Sequence, residues 1–241
     1  MTHDLPRLYA AIEATWPAAD TRRLGPWMLR DGQGGGKRVS AATLDDSSTE
    51  TDASAAEEAM QAAGQDPLFM VQVGQDALDA HLADKGYEVV DPVNLYYGSL
   101  VGMAEARPLR ARVFTIWPPL EIQKDIWAAG DIGPARLDVM HRAKGDKTAI
   151  FGRYDNSPAG TAFVAIHDGI AMVHAMEVLS DHRKLGVGRM MTEHAARWAR
   201  AAGATHVAVL CTKANAGGNA LYASMGLKVV GEYHYRHLRG T

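Results

Sequence analysis

Cysteine is nearly absent from this chain: Cys211 is the only one in 241 residues. An internal disulfide is therefore excluded, and the cytoplasm is the expected compartment. No apolar run reaches 18 residues, which argues against a membrane-spanning helix. The first residues include Asp4, Pro6 and Arg7 where a secretory leader would have its hydrophobic stretch. A large excess of one charge is also missing. The net charge of −3 advertises no basic surface for nucleic acid. Two nucleotide signatures are absent as well: an eight-residue phosphate loop ending in Gly-Lys-Ser/Thr, and an acidic residue closing the strand after a glycine-rich turn. No metal site is expected. With 47% hydrophobic and 22% charged residues the chain is predicted to be globular, as one large domain or two of roughly 100 to 150 residues.

What is present is concentrated between Ile170 and Gly226. The apolar run Ile170 to Leu179 reads as a strand and ends in the polar turn Ser180-Asp181-His182. Arg183 follows, then Gly186 and Gly188, and an amphipathic helix Arg189 to Ala202 begins at once, with Met191, Ala195, Trp198 and Ala202 on one face and Gly203 as its stop. Amides around the two glycines would sit at a helix N-terminus carrying roughly half a positive charge, a setting that suits a pyrophosphate. Next come a strand, Thr205 to Leu210, a short helix bearing Asn215, Leu221, Tyr222 and Gly226, and a last strand, Lys228 to Leu238. Gly217 and Gly218 disfavour an early start for that helix, so Asn219 is the expected N-cap.

Arg183-x-x-Gly186-x-Gly188 resembles the acyl-coenzyme A signature of the GNAT superfamily of N-acyltransferases. Asn215, Leu221-Tyr222 and Gly226-Leu227 resemble its second motif, with leucine for the usual phenylalanine. The resemblance covers about Arg110 to Leu238. It implies an α/β (α+β) fold, with a mixed, mostly antiparallel central sheet flanked by helices. The implied activity is transfer of an acetyl group from acetyl-coenzyme A to a primary amine of a small molecule or peptide, by direct attack in a ternary complex. A different class of reading is a catalytically silent acyl-coenzyme A-binding sensor or interaction module. Oligomeric state is not readable from the sequence.

A second pattern covers the first hundred residues. A constant offset of 140 lays Gly86 on Gly226, Leu82 on Tyr222 and Val89-Val90 on Val229-Val230. Upstream, Trp27 to Asp31 and Lys37 to Leu44 read as a hairpin closed by Gly34-Gly35-Gly36, and Ala53 to Ala63 as a helix. The expected organisation is a tandem: residues 1–100 a degenerate GNAT-like half, 101–109 a linker, and 110–241 the catalytic domain. The N-terminal copy is not expected to bind the cofactor, because Asp45, Asp46, Glu50 and Asp52 stand where the glycine pair should be and would repel an anion. Arg107, Arg110 and Arg112, at the linker, read as a solvated cluster.

Acyl transfer sets the demands on the site. An amine acceptor with a pKa near ~10.4 must lose a proton, and the departing thiolate must gain one. A phenol, with a pKa near ~10, holds its proton at neutral pH, so Tyr222 suits the second task; the resemblance implies the same role. For the base, His174 and Glu177 are candidates on the strand before the loop, placed on opposite faces by period-two alternation, and His234 in the closing strand is a third. The resemblance assigns the cofactor to Met176 and Val178 through their backbone, to the loop residues Arg183, Lys184, Leu185, Gly186, Val187, Gly188 and Arg189, and to Asn215 and Tyr222. Trp117, His234 and Tyr235 are candidates for the acceptor site. Trp117-Pro-Pro-Leu-Glu121 is read as opening a helix that includes Trp127. Leu210 replaces the glutamate that ribosomal-protein Nα-acetyltransferases carry five residues before the motif asparagine, which argues against a protein N-terminus as acceptor. No Cys-His or Ser-His arrangement appears at nucleophile spacing, so no acyl-enzyme is expected.

Overall fold

The computed structural model describes residues 5–45, 48, 51–103 and 113–238. Asp46, Glu50, Arg107, Arg110, Arg112 and most of the expected linker lie outside the described residues. In chain order the helices are α1 (Leu5–Thr15), α2 (Ser54–Ala62), α3 (Asp76–Asp84), α4 (Glu121–Ala129), α5 (Pro134–Arg142), α6 (Val187–Ala201) and α7 (Ala216–Ser224). The strands of the first hundred residues are β1 (Asp20–Leu24), β2 (Trp27–Asp31), β3 (Thr43–Leu44), β4 (Leu68–Gln72) and β5 (Glu88–Ser99). Those that follow are β6 (Val113–Ile116), β7 (Lys147–Tyr154), β8 (Ser157–His167), β9 (Ile170–Val178), β10 (His206–Thr212) and β11 (Lys228–His237).

These elements form two compact units. The first comprises Met1–Pro17, Leu95–Cys211 and Asn215–Val230; the second comprises Ala18–Asn94, Thr212–Ala214 and Gly231–Thr241. The partition differs from the sequence halves 1–100 and 110–241. Within the first unit, the end of β5 lies beside β10. Within the second, the end of β11 pairs with β4, Tyr233 opposite Gln72 and His237 opposite Leu68. Each unit is thus completed by a strand from the other sequence half. Strand pairing is a nonlocal choice, and β5 and β11 read so alike that the local pattern does not distinguish their partners.

The first unit has the expected mixed, largely antiparallel sheet, in the order β5-β10-β9-β8-β7-β6. Strands β6 to β9 are antiparallel and β9 is parallel to β10. Alternation along β9 puts a helix on each face. Ile170 and Met172 join Leu8 and Ile12 of α1, while Ala171 and Val173 join Val187, Met191 and Ala195 of α6. Met191 and Ala195 are buried as the α6 periodicity predicts, whereas Ala202 is the exposed C-cap, followed by Gly203 at φ +89°. Met191 lies so near the sheet that a Cβ at Gly152 or Gly160 would come within 2.7 or 3.0 Å of its sulfur. At Gly160 a Cβ would also come within 2.7 Å of the Glu177 carbonyl, so the backbone of β9 leaves room there only for glycine.

In the second unit Phe69 packs edge-on against Trp27 and Tyr87, at ring separations of 5.3 and 5.6 Å, over Met60, Leu78 and Leu82. The expected hairpin forms only at its far ends, where β2 and β3 pair antiparallel, Trp27 opposite Leu44 and Met28 opposite Thr43. Lys37 to Leu44 is not one strand: a 3-10 turn, Lys37–Val39, precedes the two-residue β3. The long partner of β2 is β1, from Asp20 opposite Asp31 to Leu24 opposite Trp27. Gly34 and Gly36, in the connection between β2 and β3, both have positive φ, +79° and +98°. In the first unit α4 opens at Glu121, later than Trp117, because Pro118 and Pro119 supply no amide; Gln123 instead caps the start, its Oε1 accepting from the Leu120 amide at 3.0 Å.

Candidate active site

Strands β9 and β10 are paired only as far as Val173 opposite Val209, although β9 runs on to Val178 and β10 to Thr212. Past that point the edge of β9 that faces β10 is released from the ladder. Against β8 the register slips between Phe163 opposite His174 and Thr161 opposite Glu177, so Ala175 and Met176 together face Ala162 as a bulge. Ala175 takes φ +49°, an uncommon conformation for a residue with a side chain. The buried Trp127 holds the bulge, its indole N–H donating to the Ala175 carbonyl at 2.8 Å.

The extra residue has a consequence for the two base candidates. Thr161 and Phe163 share a face of β8, and so do their partners Glu177 and His174. Period-two alternation, which puts them on opposite faces, fails because the bulge shifts the count by one. They are nevertheless in different surroundings. His174 is buried, its Nε2 2.8 Å from the Thr15 hydroxyl and its ring beside Trp16 and Phe163. Glu177 lies against Gly130, where a Cβ would come within 2.4 Å of its carboxylate, and it lines a cleft that His174 does not reach.

That cleft, about 690 Å³, is bounded by the end of β9, the loop to α6 and the first turns of α6 and α7. Gly186 is the N-cap of α6 in the left-handed conformation, φ +82°, with no side-chain cap. The first intrahelical bond runs from the Met190 amide to the Gly186 carbonyl. The preceding amides therefore have no partner within the helix. Gly188 leaves the opening free; a Cβ there would meet Leu221 at 3.2 Å. Arg183 donates from Nε to the Val178 carbonyl at 3.0 Å and from Nη2 to Glu177 at 3.1 Å. Arg189 reaches the Ser224 hydroxyl at 2.7 Å.

The opposite wall is α7. Asn215, and not Asn219, is its N-cap: the Asn215 side chain accepts from the Gly218 amide at 2.8 Å. Gly217 and Gly218 lie inside the helix, and at Gly218 the cap needs the room: a Cβ there would come within 2.8 Å of the Cys211 sulfur and 2.9 Å of the Asn215 amide nitrogen. One turn on, Tyr222 lines the cleft while 5% exposed, and its hydroxyl has no hydrogen-bond partner among the described residues. Burial, reinforced by the neighbouring Cys211 thiol, pushes its phenol well above the usual tyrosine range. Burial also pushes the Cys211 thiol up, to about 11.

Residues 115–227 match the family described as "Acetyltransferase (GNAT) family". The matched segment is therefore a GNAT-family domain. The chain is similar to "Uncharacterized N-acetyltransferase YobR" of Bacillus subtilis (strain 168), at 25% identity over 245 residues, 97% of this chain and 98% of that one. Two solved structures share the fold. A "GCN5-related N-acetyltransferase from Kribbella flavida" superposes with TM-score 0.74 at 19% identity, covering 100% of this chain and 98% of that one. A "Tandem GNAT protein from the clavulanic acid biosynthesis pathway (without AcCoA)" gives 0.60 at 14% identity, covering 92% and 84%.

The GNAT cleft gathers most of the predicted site and leaves some of it out. Met176, Glu177, Val178, Arg183, Lys184, Gly186, Val187, Gly188, Arg189, Asn215 and Tyr222 all line it. Leu185 does not, and is exposed. Trp117 stacks near Phe163 and His141, with the Lys147 ammonium over its ring, away from the cleft lining. His234 and Tyr235 belong to the second unit. There His234 contacts Asp79 at 2.7 Å and Tyr235 is buried beside Tyr233. Asp79 is held below the usual carboxylate range chiefly by its hydrogen bond from Arg236. Sequence reasoning missed Trp127 as the brace of the bulge and Gly130 as the space for Glu177. The signal for Gly130 is faint, a glycine just after a helical run.

Proposed function

We propose that this protein is an N-acetyltransferase that moves an acetyl group from acetyl-coenzyme A to a primary amine of a small molecule or peptide, by direct attack within a ternary complex. The observation that carries this reading is the coincidence, in one cleft, of a released strand edge, an uncapped helix N-terminus and an unpartnered buried phenol. The residues fit the cofactor. Amides of the first turn of α6, with Arg183, Lys184 and Arg189 beside them, would hold the diphosphate, and the free edge of β9 at Met176 and Val178 would pair with the pantetheine amides as an added strand does. When bound, acetyl-coenzyme A supplies the activated acyl group as a thioester.

The chain's own residues then do three things. Glu177 accepts the proton of the incoming ammonium, directly or through water. Backbone N–H groups at the bulge orient and polarise the carbonyl. Tyr222, kept protonated by burial, donates its phenolic proton to the departing sulfur. His174 is not assigned the base, because it is enclosed by Thr15, Trp16 and Phe163. We place the reaction in the cytoplasm on the basis of the single cysteine; among the described residues no helix is long and apolar enough to cross a membrane.

We also read the chain as a tandem of two GNAT-like halves with only the second binding cofactor. Helix α3 and helix α7 lie 140 residues apart end for end, as β5 and β11 do at their starts. Both helices close the same way: Tyr87 amide to Leu82 carbonyl at 3.0 Å in one, Leu227 amide to Tyr222 carbonyl at 3.2 Å in the other. The test is calorimetry with coenzyme A, followed by thiol release from acetyl-coenzyme A with a panel of primary amines. One binding site per chain and amine-dependent release support the proposal. Tight binding without release from any amine would favour the silent acyl-coenzyme A-binding module.

A further inference from the structure

Tyr96 lies on β5, far in sequence from both motifs, and is 5% exposed within the first unit. Its ring stands 5.7 Å from that of Tyr222, tilted by 50°. Its hydroxyl donates to Oδ1 of Asn219 at 2.9 Å. Asn219 in turn donates from Nδ2 to the Asn215 carbonyl at 2.7 Å, and Asn215 caps α7. A continuous path therefore runs from β5 through the first turn of α7 to the helix position one turn before Tyr222. The strand is seated firmly beneath this path: the Leu100 amide donates to the Thr205 carbonyl at 3.0 Å, and a Cβ at Gly98 would come within 2.6 Å of Leu227.

Tyr222 itself makes no hydrogen bond among the described residues that would fix its ring, and within the core that encloses it the Tyr96 ring is the aromatic neighbour it packs against. A buried ring without a hydrogen bond at its polar end is oriented by the side chains packed on it, so the rigidity of an aromatic neighbour bears on where its hydroxyl points. The Tyr96 hydroxyl supplies the rigidity, since the bond to Asn219 locks the supporting ring to the same helix that carries Tyr222. We propose that Tyr96 is a positioning residue for acetyl transfer, holding the Tyr222 phenol in line with the leaving sulfur through the Tyr96–Asn219–α7 connection. The N-terminal sequence half thereby contributes to the chemistry although its own helix N-terminus takes no cofactor. This inference rests on the proposed role of Tyr222 as the acid.

Four variants of the full chain test it, with the most reactive amine of the panel as acceptor: Tyr96→Leu, Tyr96→Phe, Tyr222→Phe, and Tyr96→Leu combined with Tyr222→Phe. Leucine keeps an apolar side chain on the strand, and phenylalanine keeps the ring. Tyr96→Leu is expected to lower kcat about tenfold while the coenzyme A Kd stays within about twofold. Tyr96→Phe, which loses only the lock on Asn219, is expected to fall about threefold. In the Tyr222→Phe background the leucine substitution should cost nothing further, because the group it positions is gone. If its effect instead multiplies in the double variant, if coenzyme A affinity drops in parallel with kcat, or if Tyr96→Leu leaves kcat unchanged, the positioning role is overturned while the acid assignment stands. If Tyr222→Phe leaves kcat unchanged, or no amine supports turnover, the reading of Tyr222 falls and this inference falls with it.

Discussion

Two helices of this chain follow a strand and a polar loop, and they treat their first turns in opposite ways. At α2 the Asp52 carboxylate accepts from the Ser54 amide at 3.0 Å and from its hydroxyl at 2.6 Å. Lys85 reaches the Ser54 hydroxyl and Glu57, and the Tyr87 hydroxyl donates to Glu57 at 3.0 Å. The positive end of that helix is already neutralised from within the second unit. At α6 there is no acidic residue in the first turn and no side-chain cap, only Gly186 in the left-handed conformation. On the proposed reading of α6, an anion site is made by withholding a cap as much as by adding a charge. A helix that satisfies its own amides is more stable by about 1 kcal/mol and has nothing left to offer a ligand.

The most forceful way to break the contrast is to give α6 the acid that α2 has. Gly188→Asp should weaken coenzyme A binding at least about 100-fold in calorimetry, through like-charge repulsion and lost access, with the circular dichroism spectrum unchanged. Next in size is Tyr222→Leu, which installs in the first unit the residue that fills the same helix position in the second, where Leu82 is fully buried. Transfer should drop about 100-fold, the scale of one general acid, with little loss of thermal stability. Gly130→Ala comes third. Its Cβ would meet the Glu177 carboxylate at 2.4 Å, and the backbone there has negative φ that alanine adopts freely. The expected outcome is about a tenfold fall in kcat with coenzyme A affinity kept.

Smaller effects sharpen the comparison. Asn215→Ala should cost about 1 kcal/mol in denaturant unfolding, whereas Gln75→Ala, at the uncapped start of α3, should cost less. The pH profile offers a finer test. Because burial raises the Tyr222 phenol, its protonated form is retained past the ordinary range near ~10, and kcat should show no alkaline decline below that pH. A decline between about pH 8 and 9 would assign the acid to another group. The same sign governs stability. The contribution of Tyr222 is fully present below the unfolded-state pKa and is lost as pH rises through the higher folded-state value, so the melting temperature should begin to drop above about pH 10.

What could be read from the sequence was whatever depends on neighbours along the chain. Arg183, Gly186 and Gly188 mark a turn that only certain residues permit, and Asn215, Tyr222 and Gly226 mark a helix with a fixed start and stop; all but the start of α7 were legible. That start was misplaced at Asn219, because helix propensity counts against Gly217 and Gly218, while the space that Asn215 and Cys211 require is a tertiary matter. His174 and Glu177 were put on opposite faces because nothing about alanine announces a bulge at Ala175. The positive φ there is imposed by the register with β8 and braced by Trp127, far away in sequence. The partners of β5 and β11 were beyond reach for a similar reason, since each strand fits the general pattern of either sheet.

That arrangement of β5 and β11 also constrains how the protein can be made. As the chain leaves the ribosome, the second unit has β1 to β4 early but lacks the strand that lies beside β4, and the residues that supply it, Tyr233 to His237, come far downstream. It cannot close until those residues have been made. A clone begun at residue 110 would meet the reverse difficulty, leaving β10 as a bare edge open to pairing with other copies. Expression of the isolated half is therefore expected to give inclusion bodies, and supplying residues 88–99 in trans to restore soluble protein.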